Sequence, residues 1–161
     1  MRGGWQVTSE CPSVEIKLVS DPVFLAGARE LILGLTHRLG FKQDASGQIA
    51  LAVDEALANV INHGYERQCD QPIWIKIWTT ADEDEPGLRI HIEDEAKQID
   101  PESICGRDLD DVKPGGLGVH IIRQVMDTVV YEKKESCGMR LKMSKRLASD
   151  TNADQPEHSH G

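Results

Sequence analysis

The sequence predicts an α+β fold, a two-layer sandwich whose mixed, mostly antiparallel sheet carries about three helices on one face. Three observations lead there. Alternating apolar patterns come in adjacent pairs, 73–78 with 88–94 and 128–134 with 138–144, as hairpins do. Two helical patterns follow one another between the first strand and the first hairpin. A third helical pattern separates the hairpins. Strands grouped in pairs build a largely antiparallel sheet rather than a doubly wound parallel one.

The first strand is SVEIKLV at 13–19, where Val14, Ile16 and Leu18 alternate with Glu15 and Lys17. Asp21 and Pro22 then mark a helix start, with the proline at the first helical position. Phe24, Leu25, Ala28, Leu31, Ile32 and Leu35 follow at helical spacing, and Gly40 is the stop. A second helix runs from about Asp44 to about His63, closed by Gly64. In IWIKIW at 73–78 the isoleucines take one face and Trp74, Lys76 and Trp78 the other. The acidic turn at 81–87 leads into LRIHIED at 88–94. Residues 95–116 are irregular and read as a lid, since loops this long in a compact domain are commonly functional or disordered. A helix at 117–127 precedes the last hairpin, which turns near 135–138.

One domain spans 12–147, without a Gly/Ser-rich linker or an internal repeat. Residues 1–11 read as an N-terminal tail and 148–161 as a disordered polar C-terminal tail that contains His158 and His160. The whole chain has 161 residues, 39% hydrophobic and 28% charged, with 27 acids against 18 Lys and Arg for a net charge of -9. Nucleic acid and anionic membrane both attract basic surfaces, so neither is expected as a direct partner. The four cysteines form no closely spaced metal pair. No apolar run is long enough to span a bilayer, and no secretory signal is evident, which favours a cytoplasmic location.

The stretch DEALANVINHGY at 54–65 carries the chemistry. On a helix turning about 100° per residue, Ile49, Val53, Ala56, Leu57 and Val60 share the core face. Glu55, Asn59 and Asn62 fall together on the opposite side, with Leu51 and Ala58 and no lysine, so this face reads as partly covered. A carboxylate and an amide four residues apart are surface neighbours. They suit a divalent cation and a phosphoryl group, because Mg²⁺ takes hard oxygen ligands. Gly115, Gly116 and Gly118 sit where the lid enters a helix, and exposed N–H groups there suit phosphate. Asp94, at a strand end, can accept a hydrogen bond from an exocyclic amine. Taken singly, such residues are more often a solvated face, a hinge and a turn former.

In this order, the three segments resemble the GHKL (Bergerat) ATP-binding fold. Within it the likeness is to bacterial anti-sigma-factor serine/threonine kinases of partner-switching pathways. DEALANVINHGY resembles their N-box, EDEAKQIDP their G1 segment and GGLGVHIIRQVMD their G2 segment. The resemblance implies ATP and Mg²⁺ as cofactors, Glu55 as general base and Asn59 as the Mg²⁺ ligand. It implies a pocket floor from Asn62, His63 and Gly64, adenine recognition by Asp94, and phosphate contacts from Gly115, Gly116, Leu117 and Gly118. The partners would be a sigma factor and a STAS-type anti-sigma antagonist, which would be the serine substrate, with a homodimer formed through the open edge of the first strand. The sequence departs from the family's DxGxG at Ala96 and Gln98, which lack the glycines, and from its threonine at Met139. The alternative reading is a weakly catalytic or non-catalytic module of the same fold that regulates a partner by contact.

Overall fold

The computed structural model describes residues 11–79, 86–105 and 116–148. Most of the N-terminal tail, most of the acidic turn, the lid portion 106–115 with Gly115, and the tail from 149 onward lie outside the described residues.

Strand β1 (Val14–Val19) enters a 3₁₀ turn at Pro22–Phe24, where Asp21 accepts the Val23 N–H at 2.9 Å. The Asp-Pro start signal thus opens a tighter turn, and helix α1 (Leu25–Arg38) begins after it. Its inward positions are Ala28, Ile32 and Thr36. Thr36 tolerates burial because its hydroxyl donates to the Ile32 carbonyl at 2.8 Å. Phe24 and Leu31, expected on the apolar stripe, are exposed. Gly40, at φ +96°, ends the segment in a left-handed conformation that glycine adopts without strain.

Helix α2 (Gln43–Asn59) continues into a π turn at Val60–Gly64. Strands β2 (Pro72–Thr79) and β3 (Gly87–Glu93) form the first hairpin. A short helix α3 (Pro101–Cys105) follows, then α4 (Gly116–Val125), β4 (Thr128–Lys133) and β5 (Met139–Arg146). Helix α3 falls in the stretch read as irregular. Asp100 accepts the Glu102 N–H at 3.0 Å and stands before Pro101, the same start signal as Asp21–Pro22.

The strand order is β1-β2-β3-β5-β4, and every neighbouring pair is antiparallel. The expected mixed sheet is therefore corrected. The connection through α4 delivers β4 to the far edge, where β5 separates it from β3, the strand to which it runs parallel.

Register puts the apolar residues on one face: Ile75 lies opposite Ile92, Ile77 opposite Ile90, and Ile90 opposite Met143. Against this face pack Ile32, Ile49, Val53, Leu57 and Ile122 from α1, α2 and α4. Each fully buried isoleucine contributes roughly 1.5–3 kcal/mol. The opposite face is charged and aromatic. There Glu93 is held between Arg140 at 2.9 Å and Lys76 at 3.3 Å. His91 packs against Trp78 with ring centroids 4.4 Å apart and the planes tilted by 53°. Burial, with Lys142, Arg140 and Arg89 nearby, pushes the His91 imidazole down to about 4.

Candidate functional site

The site is built on the end of α2. Ile49, Val53, Ala56 and Leu57 are buried as the apolar stripe requires, but at the next turn Ile61 is buried and Val60 only half-buried. The π turn explains the change. The Tyr65 N–H bonds the Val60 carbonyl at 2.8 Å, five residues back, so the wider turn returns to the core after four residues.

Two groups of residues gather here. The first joins α2 to the start of α4, which packs against it. Glu55 and Asn59 are half-buried beneath Gly118. A β-carbon at Gly118 would lie 3.3 Å from Nδ2 and 3.5 Å from Oδ1 of Asn59, and closer still to Glu55. Any side chain at 118 would fill the space above the acid–amide pair. Asn59 Nδ2 is buried and has no hydrogen-bond partner among the described residues. A buried amide end normally finds a partner, so this one is poised for a ligand.

The second group surrounds Asp94, which is buried just past β3. Its Oδ1 accepts N–H groups from Ala96 at 2.9 Å and Met139 at 3.0 Å. Oδ2 makes no hydrogen bond among the described residues. Burial raises the carboxyl above its usual range, against the pull of the Met139 and Ala96 N–H groups and of Lys134. Gly64 touches this segment, because a β-carbon there would lie 3.2 Å from that of Ala96.

The remaining sequence candidates sit apart. Asn62 and His63 are exposed on the π turn, and their side chains make no hydrogen bond among the described residues, so Asn62 does not join Glu55 and Asn59. Leu117 is exposed at the start of α4, and Gly116 faces open space. Gly115 lies outside the described residues. Lys97 is exposed, while Gln98 turns back onto the β4–β5 turn.

Sequence reasoning gives no role to Tyr65, Lys134 or Gly138, yet all three hold the Asp94 segment. Tyr65 Oη accepts the Glu95 N–H at 2.7 Å and donates to the Pro72 carbonyl at 2.6 Å. Burial raises this phenol to about 12, so it stays protonated and can keep donating. Lys134 Nζ donates to the Asp94 carbonyl at 3.0 Å. Gly138, at φ +78°, lies against the same carbonyl. The lysine and glycine contacts cross about forty residues and leave no local signal. The position of Met139 works through its main-chain N–H, which any residue except proline would supply.

The arrangement offers a carboxylate and an amide beside a helix start, with a second carboxylate keeping one oxygen for a donor. Helix starts favour phosphate, and the free Asp94 oxygen suits an amine.

The chain is similar in sequence to known proteins. The serine-protein kinase RsbW of Halalkalibacterium halodurans is 27% identical over 146 residues, covering 86% of this chain and 85% of that protein. The same-named protein of Oceanobacillus iheyensis is 27% identical over 85% of this chain and 88% of its own length. That of Bacillus subtilis is 23% identical, with 90% and 89% covered. Residues 18–145, from the end of β1 to the penultimate residue of β5, match the model of the histidine kinase-like ATPase domain, and the chain belongs to that family.

Proposed function

We propose that this protein is an ATP-dependent protein serine kinase and anti-sigma factor. Its substrate would be a STAS-type anti-sigma antagonist in a partner-switching pathway. The observation that carries this reading is the placement of Glu55 and Asn59 beneath Gly118, with the Nδ2 atom of Asn59 buried and without a hydrogen-bond partner among the described residues. The similarity to proteins named serine-protein kinase supports it.

The residues fit Mg·ATP. Asn59 would hold Mg²⁺ through its side-chain oxygen, since this cation is commonly bound through one or two protein groups plus substrate phosphates. ATP supplies the phosphoryl group, and Mg²⁺ screens its charge. Gly116 and Gly118 leave main-chain room for the phosphates at the start of α4, and Gly115 extends that glycine run in the sequence. Asp94 Oδ2 would accept a hydrogen bond from the exocyclic amine of adenine, with the segment that carries it packed against Gly64. Asn62 and His63, exposed on the π turn, take no part in this set. Glu55, one helical turn before Asn59, takes the proton of the attacking serine hydroxyl. Phosphoryl transfer asks little more than this positioning and charge stabilisation.

A homodimer through β1 is consistent with the strand order, because β1 is an edge strand with one side open among the described residues. No described helix is long and apolar enough to cross a membrane, and the net charge is acidic. Both are in keeping with a cytoplasmic protein that meets proteins rather than nucleic acid.

The test is calorimetric titration of ATP with and without Mg²⁺, joined to a phosphotransfer assay on the antagonist. Glu55→Ala should lower transfer by roughly 10²–10⁴-fold and leave ATP binding largely intact. Asn59→Ala should weaken the Mg²⁺-dependent binding. Undiminished transfer in Glu55→Ala would sink the assignment. No binding at millimolar nucleotide would point instead to a regulator that acts by contact alone.

A further inference from the structure

Gln98 lies four residues beyond Asp94 and is half-buried. Its Nε2 donates to the Lys134 carbonyl at 2.6 Å and to the Gly138 carbonyl at 3.2 Å. Both partners are acceptors, so only the NH₂ end of the amide can face them. The Lys134 N–H also donates to the Gly138 carbonyl at 3.1 Å, closing the β4–β5 turn. From that turn, Lys134 Nζ returns to the Asp94 carbonyl and the Met139 N–H to Asp94 Oδ1. The bonds form a ring. Asp94 leads along the chain to Gln98, across to the turn, and back to Asp94.

We propose that Gln98 is a positioning residue. It clasps the segment after β3 onto the β4–β5 turn and so fixes the Asp94 carboxylate with Oδ2 turned toward an adenine amine. The inference deepens the nucleotide reading and rests on it. The reason is geometric. Asp94 is oriented by two N–H groups, one from each side of the ring, and without the clasp only the Lys134 and Met139 bonds at Asp94 itself keep the two sides together. The carboxylate then loses its fixed direction, and discrimination between an amine and a carbonyl at that point of the base is lost with it. An oriented buried polar group discriminates strongly, because a mismatched ligand leaves it unpaired.

Gln98→Glu keeps the shape but replaces the donor with an acceptor facing two carbonyls. In the full-length protein, amide hydrogen exchange at Ala96 and Met139 should accelerate about tenfold in Gln98→Glu and Gln98→Ala. ATP affinity should fall by about tenfold and the ATP/GTP preference should narrow, while kcat at saturating ATP stays within about twofold. Lys134→Met, which opens the other side of the ring, should act in the same direction. Exchange and ATP affinity equal to wild type in Gln98→Glu would overturn the clasp. A parallel fall in kcat, or collapse of thermal stability, would overturn it in favour of a general folding role. A wild-type protein that binds no nucleotide would remove the adenine role with the reading beneath it, and the exchange rates would then decide the clasp alone.

Discussion

A β-carbon on Gly118 would stand 2.7 Å from Oε2 of Glu55. The atom it meets is the end of a side chain, so the fold can yield by moving the carboxylate. Gly118→Ala should therefore leave thermal stability nearly unchanged. Displacing the proposed base by about an ångström should lower phosphotransfer on the order of a hundredfold. Single-turnover transfer beside a melting curve checks both halves.

Gly138 presents the opposite case. Its β-carbon would fall 1.9 Å from the Asp94 carbonyl oxygen, main chain against main chain, at φ +78°. Neither side can move without opening the β3–β5 ladder. Gly138→Ala should destabilise by about 2–4 kcal/mol and lower Tm by about 10 °C. Gly116→Ala, which meets nothing within 4 Å, is the control and should leave Tm the same or slightly higher.

Tyr65→Phe removes one oxygen and two part-buried hydrogen bonds. The Glu95 N–H and Pro72 carbonyl lose their partner together. Urea unfolding should show a loss of about 1–3 kcal/mol with an unchanged m-value. Loss of ATP affinity beyond that of a remote mutant of equal stability would show that the phenol also steadies the Asp94 segment.

The outer sheet face gives a pH signature. Folding holds His91 at about 4 against an ordinary 6.5. Between those values the unfolded chain binds the proton more readily, so acidification favours unfolding. The stability linked to His91 is full above 6.5, declines as pH falls, and levels off below about 4. Arg140 and Lys76 outweigh burial to hold Glu93 below its usual range, so its contribution is lost lower still, as pH falls below about 4.5. Denaturation midpoints across this range should flatten between 6.5 and 4 in His91→Gln and keep the steeper acid limb.

The parts legible in the sequence were those written in short periods. Alternation at Ile73, Ile75 and Ile77 fixed which face of β2 is buried, and hairpin spacing gave two of the four strand pairs, β2–β3 and β4–β5, their antiparallel sense. The spacing of Glu55 and Asn59 placed them on one side of a helix, where the structure also puts them. Helix α3 was missed although Asp100–Pro101 carries the start signal, because the surrounding glycines and prolines outweighed five helical residues. The inward turn from Val60 to Ile61 was missed because a π turn has no distinctive residues. Gln98 and Lys134 were beyond reach for another reason. Their bonds depend on the β4–β5 turn arriving beside Asp94, a meeting set by strand order across the sheet.

The π turn at Val60–Gly64 makes this region sensitive to length in a way that single exchanges would not reveal. Its wider winding places one more residue between Asn59 and Tyr65 than a regular helix would accommodate. Deleting any one of them would restore ordinary winding and swing Tyr65 by about 100°. The phenol would leave Glu95 and Pro72 although no functional group had been altered. Insertions and deletions here should be disfavoured more strongly than replacements, and a descendant chain could change its spelling at Asn62 or His63 far more freely than its count.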